Sequence, residues 1–173
     1  MIRVPLDKAW IKRPLRILYG WTQATPKAML LDPAWDRSVA IWPGMVAMKT
    51  RGDLVTLINA TGVPLGFFGN YIGGEGVDEP GDSGVNATVV WTLGPDAEFE
   101  VLSPAFDTGA SWAEPADGTI GLVYCYVDGA NRGQLCPAGT VGRGTLSARP
   151  VARLLAVESA TTIKIGGLNV GDV

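Results

Sequence analysis

The side chains with which this chain could do chemistry are limited by a complete lack of histidine. The sequence has 173 residues and no His, so a Ser/His/Asp triad, a Cys/His dyad or an ordinary His-containing metal site cannot be built. The strongest remaining candidate is Asp107, in the run Phe-Asp-Thr-Gly-Ala-Ser-Trp. Two aspartates that share one proton can activate a water molecule. A catalytic hypothesis is therefore narrowed to a carboxylate pair.

The run Asp-Thr-Gly-Ala-Ser at residues 107–111 resembles the catalytic loop of the aspartic proteases. It occurs once, so the resemblance implies a homodimer in which each copy contributes Asp107. Ser-Pro-Ala precedes Phe106 where that family has an apolar strand, and Gly142-Arg143 comes too soon to leave room for a flap. Asp-Thr-Gly is also an ordinary turn sequence. We predict that the chain is not an enzyme, with a homodimeric aspartic-protease-like enzyme as the alternative.

The two cysteines, Cys125 and Cys136, flank an Asp128-Gly129 pair that suits a hairpin turn. Such a hairpin would bring the thiols near each other, but a reducing cytoplasm favours two reduced structural thiols. Their number and spacing do not match a zinc site, and the glycine pairs lack the spacing and βα context of a phosphate-binding loop. We therefore predict no metal and no cofactor.

The elements that must position these residues are short strands. Residues 41–69 hold three apolar runs separated by Pro-Gly, Arg-Gly-Asp and Thr-Gly-Val turns, which is typical of an antiparallel meander. Period-two alternation predicts further strands whose inward-facing residues include Phe99, Val101, Ile163 and Ile165. These patterns predict an all-β fold, a small antiparallel β-barrel or sandwich. They also make the Arg-Gly-Asp at residues 51–53 a hairpin turn rather than an integrin-binding motif.

Charge divides the chain into basic ends and an acidic middle. The net charge is −3, and every Lys and Arg lies at or before Arg51 or at or after Arg132. We predict a basic N-terminal arm over residues 1–27 that ends in a strand, followed by a single β-domain over 28–173 with an acidic loop or insertion at about 70–118. The acidic balance argues against nucleic-acid binding. No apolar stretch suits a bilayer span or a secretory signal, so we expect no membrane partner and synthesis in a cytoplasm.

Four short motifs, in their order, resemble the head decoration (capsid cement) proteins of tailed bacteriophages. They are an apolar Pro-Gly turn leading into Met-Val-Ala-Met-Lys at 43–49, Pro-Leu-Gly at 64–66, Pro-Val-Ala-Arg-Leu-Leu at 150–155 and Thr-Ile-Lys-Ile at 162–165. The N-terminal arm and the acidic middle lie outside these motifs. The resemblance therefore depends on short apolar strands and their turns.

This resemblance implies a structural virion protein that binds the outer surface of a phage capsid and stabilises the expanded shell. Such proteins are small and β-rich, often form homotrimers, and many pair an N-terminal arm with strands of the major capsid protein. On this chain the arm would bring basic side chains to capsid carboxylates and indoles to apolar seams. The expected capsid-binding residues are Arg3, Lys8, Trp10, Lys12, Arg13, Arg16 and Trp21.

Six tryptophans permit a third interpretation, a carbohydrate-binding module of a phage tail or head. Trp35, Trp42 and Trp112, if exposed, would stack on sugar rings. Tryptophans in a core or at a subunit interface explain the same composition equally well.

Overall fold

The computed structural model describes residues 16–19, 24–36, 38–73 and 87–168. Within these ranges the chain forms strands and no helix, so the prediction of an all-β fold is confirmed. The strands are, in chain order, β1 (Arg16–Tyr19), β2 (Ala24–Leu31), β3 (Val46–Lys49), β4 (Leu54–Leu57), β5 (Pro64–Phe68), β6 (Ala87–Leu93), β7 (Glu98–Leu102), β8 (Gly121–Cys125), β9 (Leu135–Pro137), β10 (Ala152–Ser159) and β11 (Thr162–Gly166).

Five strands form a closed barrel in the order β2-β4-β3-β5-β6. Residues 41–69 supply three of them, but not as the meander that we predicted. β3 lies between β4 and β5 and pairs antiparallel with both, so β4 and β5 are not neighbours. The ring closes where β2 pairs antiparallel with β6 over residues 24–30 and 87–93. The barrel part of the sequence prediction is therefore confirmed.

One pair in the barrel, β2 with β4, is parallel, which differs from the purely antiparallel barrel that we predicted. The reason is geometric: strand direction can alternate all round a closed ring only if the number of strands is even. A five-stranded ring must contain at least one parallel pair.

The other six strands form a second sheet in the order β1-β7-β11-β10-β8-β9, with every neighbouring pair antiparallel. Its inner face carries Phe99, Val101, Ile163 and Ile165, all at most 1% exposed, as the alternation predicts. The sheet lies against the barrel, so both share one apolar core. Trp91 of β6 meets Phe99 of β7 edge-on at 5.9 Å between ring centroids.

Strand β6 belongs to the barrel and also packs against the second sheet, which explains its burial pattern. Thr88 and Val90 are buried, while Val89, Trp91 and Leu93 on the opposite face are half-buried. A strand covered on both faces shows weak alternation of polarity.

Two regions singled out by charge overlap these strands. Residues 24–27 of the predicted arm belong to β2, and residues 16–19 form β1. Within the predicted acidic insertion, residues 87–93 and 98–102 are β6 and β7. The most acidic stretch, residues 74–86, lies outside the described residues.

Candidate functional site

The segment that contains Asp107 is held along the outer side of β9. The Leu135 N–H donates to the Ala105 carbonyl, and the Asp107 N–H donates to the Leu135 carbonyl, each at 2.9 Å. Phe106 and Leu135 form a parallel bridge between these two bonds. The backbone of Asp107 is thus fixed by the sheet before its side chain makes any contact.

Both carboxylate oxygens of Asp107, which is only 7% exposed, accept hydrogen bonds. Oδ1 accepts from Arg143 Nη1 at 2.6 Å and from the Gly109 N–H at 2.9 Å. Oδ2 accepts from the Tyr126 hydroxyl at 2.7 Å. Burial by itself raises the pKa of Asp107, but the bonds from Tyr126 and Gly109 and the charge of Arg143 outweigh it and lower the pKa. Asp107 is therefore a carboxylate at neutral pH.

The residues after Asp107 complete this turn. A Cβ at Gly109 would overlap the Arg143 guanidinium, so glycine leaves the space that the ion pair needs. Trp112 donates its indole N–H to the Asp107 carbonyl at 2.7 Å and packs edge-on against Phe106. Because every oxygen of Asp107 has a partner in its own chain, the geometry favours a structural anchor over a water-activating carboxylate.

Sequence reasoning did not identify the partners of Asp107. Tyr126 and Arg143 lie 19 and 36 residues along the chain from it. In the sequence, the position of Gly142-Arg143 indicates only that the chain lacks room for a protease flap. In the fold it brings the counter-ion to the Asp-Thr-Gly turn.

The two cysteines lie on neighbouring strands and on opposite faces of the hairpin. Cys125 is in register with Leu135, and Cys136 with Tyr124, so the thiols are offset by one residue and point to opposite sides. Both are free and buried. Burial raises the pKa of each thiol to about 12. The prediction of two unbonded structural thiols agrees with this geometry.

The Arg-Gly-Asp at residues 51–53 is the turn between β3 and β4, as predicted. Gly52 has a φ of 64°, which glycine adopts without strain. Asp53 pairs with Lys49 at 3.2 Å across the turn. The motif is explained by the hairpin that it closes.

The three tryptophans proposed to bind sugars have different surroundings. Trp35 is 8% exposed and belongs to the core. Trp112 is half-buried, with its indole N–H bound to the Asp107 carbonyl. Trp42 is half-buried and lines a groove between the segment before β3 and the loop that joins β8 to β9.

Most of the expected capsid-binding residues, namely Arg3, Lys8, Trp10, Lys12, Arg13 and Trp21, lie outside the described residues. Arg16 is the first residue of β1, in register with Glu100 of β7, which is itself in register with Lys164 of β11. The register thus places Glu100 of β7 between Arg16 of β1 and Lys164 of β11.

β1 is an outer strand of the second sheet. The opposite outer strand, β9, is covered by the bridge between Phe106 and Leu135. Among the described strands, none pairs with the outer side of β1. Within the described residues, the sheet therefore has an open edge at β1, which follows the basic N-terminal residues directly.

The described ranges contain no group of three or more His, Cys, Asp or Glu side chains arranged to hold a metal ion. They also contain no helix long and apolar enough to cross a membrane.

A family model described as phage cement protein matches residues 1–170. The match includes the N-terminal basic segment and the acidic middle, both of which lie outside the four short motifs. No curated protein and no solved structure matches the chain.

Proposed function

The chain belongs to the phage cement proteins, and on that premise we propose that it binds the outer surface of a phage capsid and stabilises the expanded shell. Membership makes it a structural protein of the virion, located on the capsid. The match over residues 1–170 carries the proposal, because it includes the whole basic segment ahead of β1.

The open edge of β1 supports a specific mode of binding. An unpaired strand offers a row of N–H and C=O groups to which an extended segment of another protein can add. On this chain the edge follows directly after Lys12 and Arg13. The partner in this proposal is the major capsid protein. Its strand pairs with β1 or with the residues just before it, while the basic side chains meet its carboxylates.

The side chains proposed for this contact are Arg3, Lys8, Lys12, Arg13 and Arg16, with Trp10 and Trp21 as apolar anchors. Buried aromatic residues contribute much of the affinity of interfaces, and exposed charges chiefly raise the association rate. We further propose a homotrimer. Its support is a hydrophobic content of 47% with only 18% charged residues. Three weak contacts made together would hold the shell far more tightly than one.

The test is co-sedimentation with expanded empty shells of the phage that encodes the protein. The full chain is compared with one lacking residues 1–14, which leaves β1 intact. We expect the full chain to sediment with shells and to raise their disruption temperature, and the truncated chain to stay in the supernatant with an unchanged melting temperature. Failure of the full chain to bind would overturn the proposal. Equal binding by both chains would show that residues 1–14 do not contribute to capsid binding.

A matched pair of variants separates specific contacts from overall charge. Lys8, Lys12 and Arg13 are changed together to Glu in one variant, and Lys27, Arg51 and Arg149 in the other. Lys27, Arg51 and Arg149 are exposed and lie outside residues 1–14, the segment that the truncation removes. We expect only the first variant to lose binding. Equal losses would mean that long-range charge, rather than the segment, drives association.

Light scattering of the free protein tests its oligomeric state. A mass three times that of one chain, in both the full and the truncated protein, is the expected result. A dimer would contradict the trimer and would call for a cleavage assay of Asp107→Asn.

A further inference from the structure

A groove of about 720 Å³ lies between the segment before β3 and the loop that joins β8 to β9. This volume falls in the range of roughly 300–1,000 Å³ that is usual for small-molecule sites. The side chains on which its chemistry depends are Asp36, Ser38, Trp42, Asp128, Arg132 and Gln134. Neither the Asp107 cluster nor the open edge of β1 uses this surface.

Trp42 provides an aromatic wall of the groove, and its indole is held in place by a residue that does not line the groove. Tyr71, which does not line the groove, packs against it with ring centroids 4.5 Å apart and planes inclined at 54°. The backbone N–H of Trp42 donates to the sulfur of Met45, which is itself buried, so the main chain at Trp42 is also held. A rigid half-exposed indole of this kind offers apolar contact area at little entropic cost.

Two carboxylates at the groove are held in place by hydrogen bonds from neighbouring residues. Oδ1 of Asp36 accepts from the Ser38 hydroxyl at 2.6 Å and from its N–H at 3.0 Å. Oδ1 of Asp128 accepts from the Thr145 N–H at 2.8 Å. The two bonds to Asp36 both use Oδ1, and Asp128 has a further hydrogen bond with the Thr145 side chain. These bonds lower the pKa of both groups, so both are ionised acceptors at neutral pH.

Arg132 adds donors and a compensating positive charge. Its Nε and Nη2 donate to the carbonyls of Ile58 and Leu57 at 2.8 and 2.9 Å, which anchors the guanidinium and leaves Nη1 without a described partner. Gln134 donates through Nε2 to the Pro104 carbonyl at 2.9 Å, so its Oε1 is the atom left to accept. The groove thus offers both donors and acceptors beside one aromatic wall.

We infer that this groove binds a neutral saccharide, with a pyranose ring against Trp42 and ring hydroxyls between the two carboxylates and Arg132. A sugar has an apolar C–H face for the indole, and each hydroxyl both donates and accepts hydrogen bonds. An anionic ligand would be repelled by Asp36 and Asp128, and Arg132 offsets one of their two charges, so a basic peptide would gain little net attraction. The aromatic wall and the mixed donors and acceptors therefore favour the neutral ligand.

The test is a ¹H–¹⁵N NMR titration of the full chain with glucose, galactose, mannose, N-acetylglucosamine and their disaccharides. Glucosamine, glucuronate and a lysine-rich peptide serve as charged comparisons. We expect at least one neutral sugar to shift the Trp42 indole signal with a Kd of the order of 1 mM, as its small size allows. A set of titrations in which no sugar shifts groove signals, or in which the peptide binds more tightly than every neutral sugar, would overturn the inference.

Variants locate the binding. Trp42→Ala should weaken it by about tenfold or more, and the Asp36→Asn, Asp128→Asn double variant should also weaken it while Asn Oδ1 keeps the bonds from Ser38 and Thr145. Val141→Ala is the control, because Val141 is 85% exposed and lies outside the groove. If Trp42→Ala does not fold, the sugar affinity of the Asp36→Asn, Asp128→Asn double variant tests the assignment. Unchanged affinity in the folded groove variants would contradict the assignment.

Discussion

The Tyr126 hydroxyl donates a 2.7 Å hydrogen bond to Oδ2 of Asp107, which joins the residue after β8 to the turn that follows β7. Tyr126 is fully buried and Asp107 nearly so. Together with Arg143 on Oδ1, this bond connects three separate segments through one carboxylate. It gives Asp107 a structural role that the Asp-Thr-Gly motif alone did not suggest.

Removing either partner of this bond should destabilise the fold. We expect Tyr126→Phe to cost about 1–2 kcal/mol and Asp107→Asn about 2–3 kcal/mol, because the second change also removes the ion pair with Arg143. Urea unfolding measures both. In the double variant the costs should be less than additive, since the two residues share one contact; strict additivity would show that they act independently.

The same carboxylate should make stability depend on pH. The pKa of Asp107 is lowered by folding from its ordinary value of 3.8, so its contribution is complete above that value and is lost as pH falls through the folded pKa. Asp107→Asn should therefore be less stable than the wild type at about pH 7 and approach it below about pH 3.8. Urea midpoints across this range test the effect. A constant difference would mean that ionisation of Asp107 contributes nothing.

Gly133 should not tolerate a side chain. Its φ is 86°, and a Cβ would lie 2.5 Å from Cδ2 of the buried Leu57 in the barrel. Gly133→Ala should cost about 2–3 kcal/mol from strain and overlap together. Gly118→Ala is the matched control, with a φ of 77° and open space around the Cβ, and should cost only about 1 kcal/mol. Equal losses would argue against tight packing of this loop on the barrel.

Arg132 should contribute to stability because it binds two backbone carbonyls at the end of β4. Arg132→Gln leaves the Leu57 and Ile58 carbonyls without these donors, and we expect a loss of about 2 kcal/mol. Arg149→Gln, at an exposed position whose guanidinium makes none of the described hydrogen bonds, should change stability by less than about 0.5 kcal/mol. Thermal unfolding of the two variants measures the difference, and similar melting temperatures would contradict the role of Arg132.

The cysteines should be unreactive while the protein is folded. Both thiols are buried with a pKa of about 12, so thiolate is scarce and access is blocked. Ellman's reagent at about pH 8 should label neither residue in native protein and both in urea. A reducing agent should leave the melting temperature unchanged. Rapid labelling of the native protein would show that this hairpin opens readily.

Local patterns in the sequence predicted much of the strand content. Phe99 and Val101 alternate with Glu98 and Glu100 because β7 has one buried face, and residues 51–53 form a turn because Gly52 can adopt a positive φ. Such signals need only neighbouring residues. Family membership, too, was visible in short motifs, although these covered far less than the 170 residues that the family model matches.

The tertiary structure decided what depends on residues far apart. Sequence alternation could not show which face of β6 enters the barrel, because both faces are covered. It also could not show that the parallel pair of the five-stranded ring is β2 with β4. The sequence alone determined that this histidine-free, turn-rich chain is all-β. The role of Asp107 was decided only by folding, because the charge and the hydroxyl that hold its carboxylate come from segments 36 and 19 residues away.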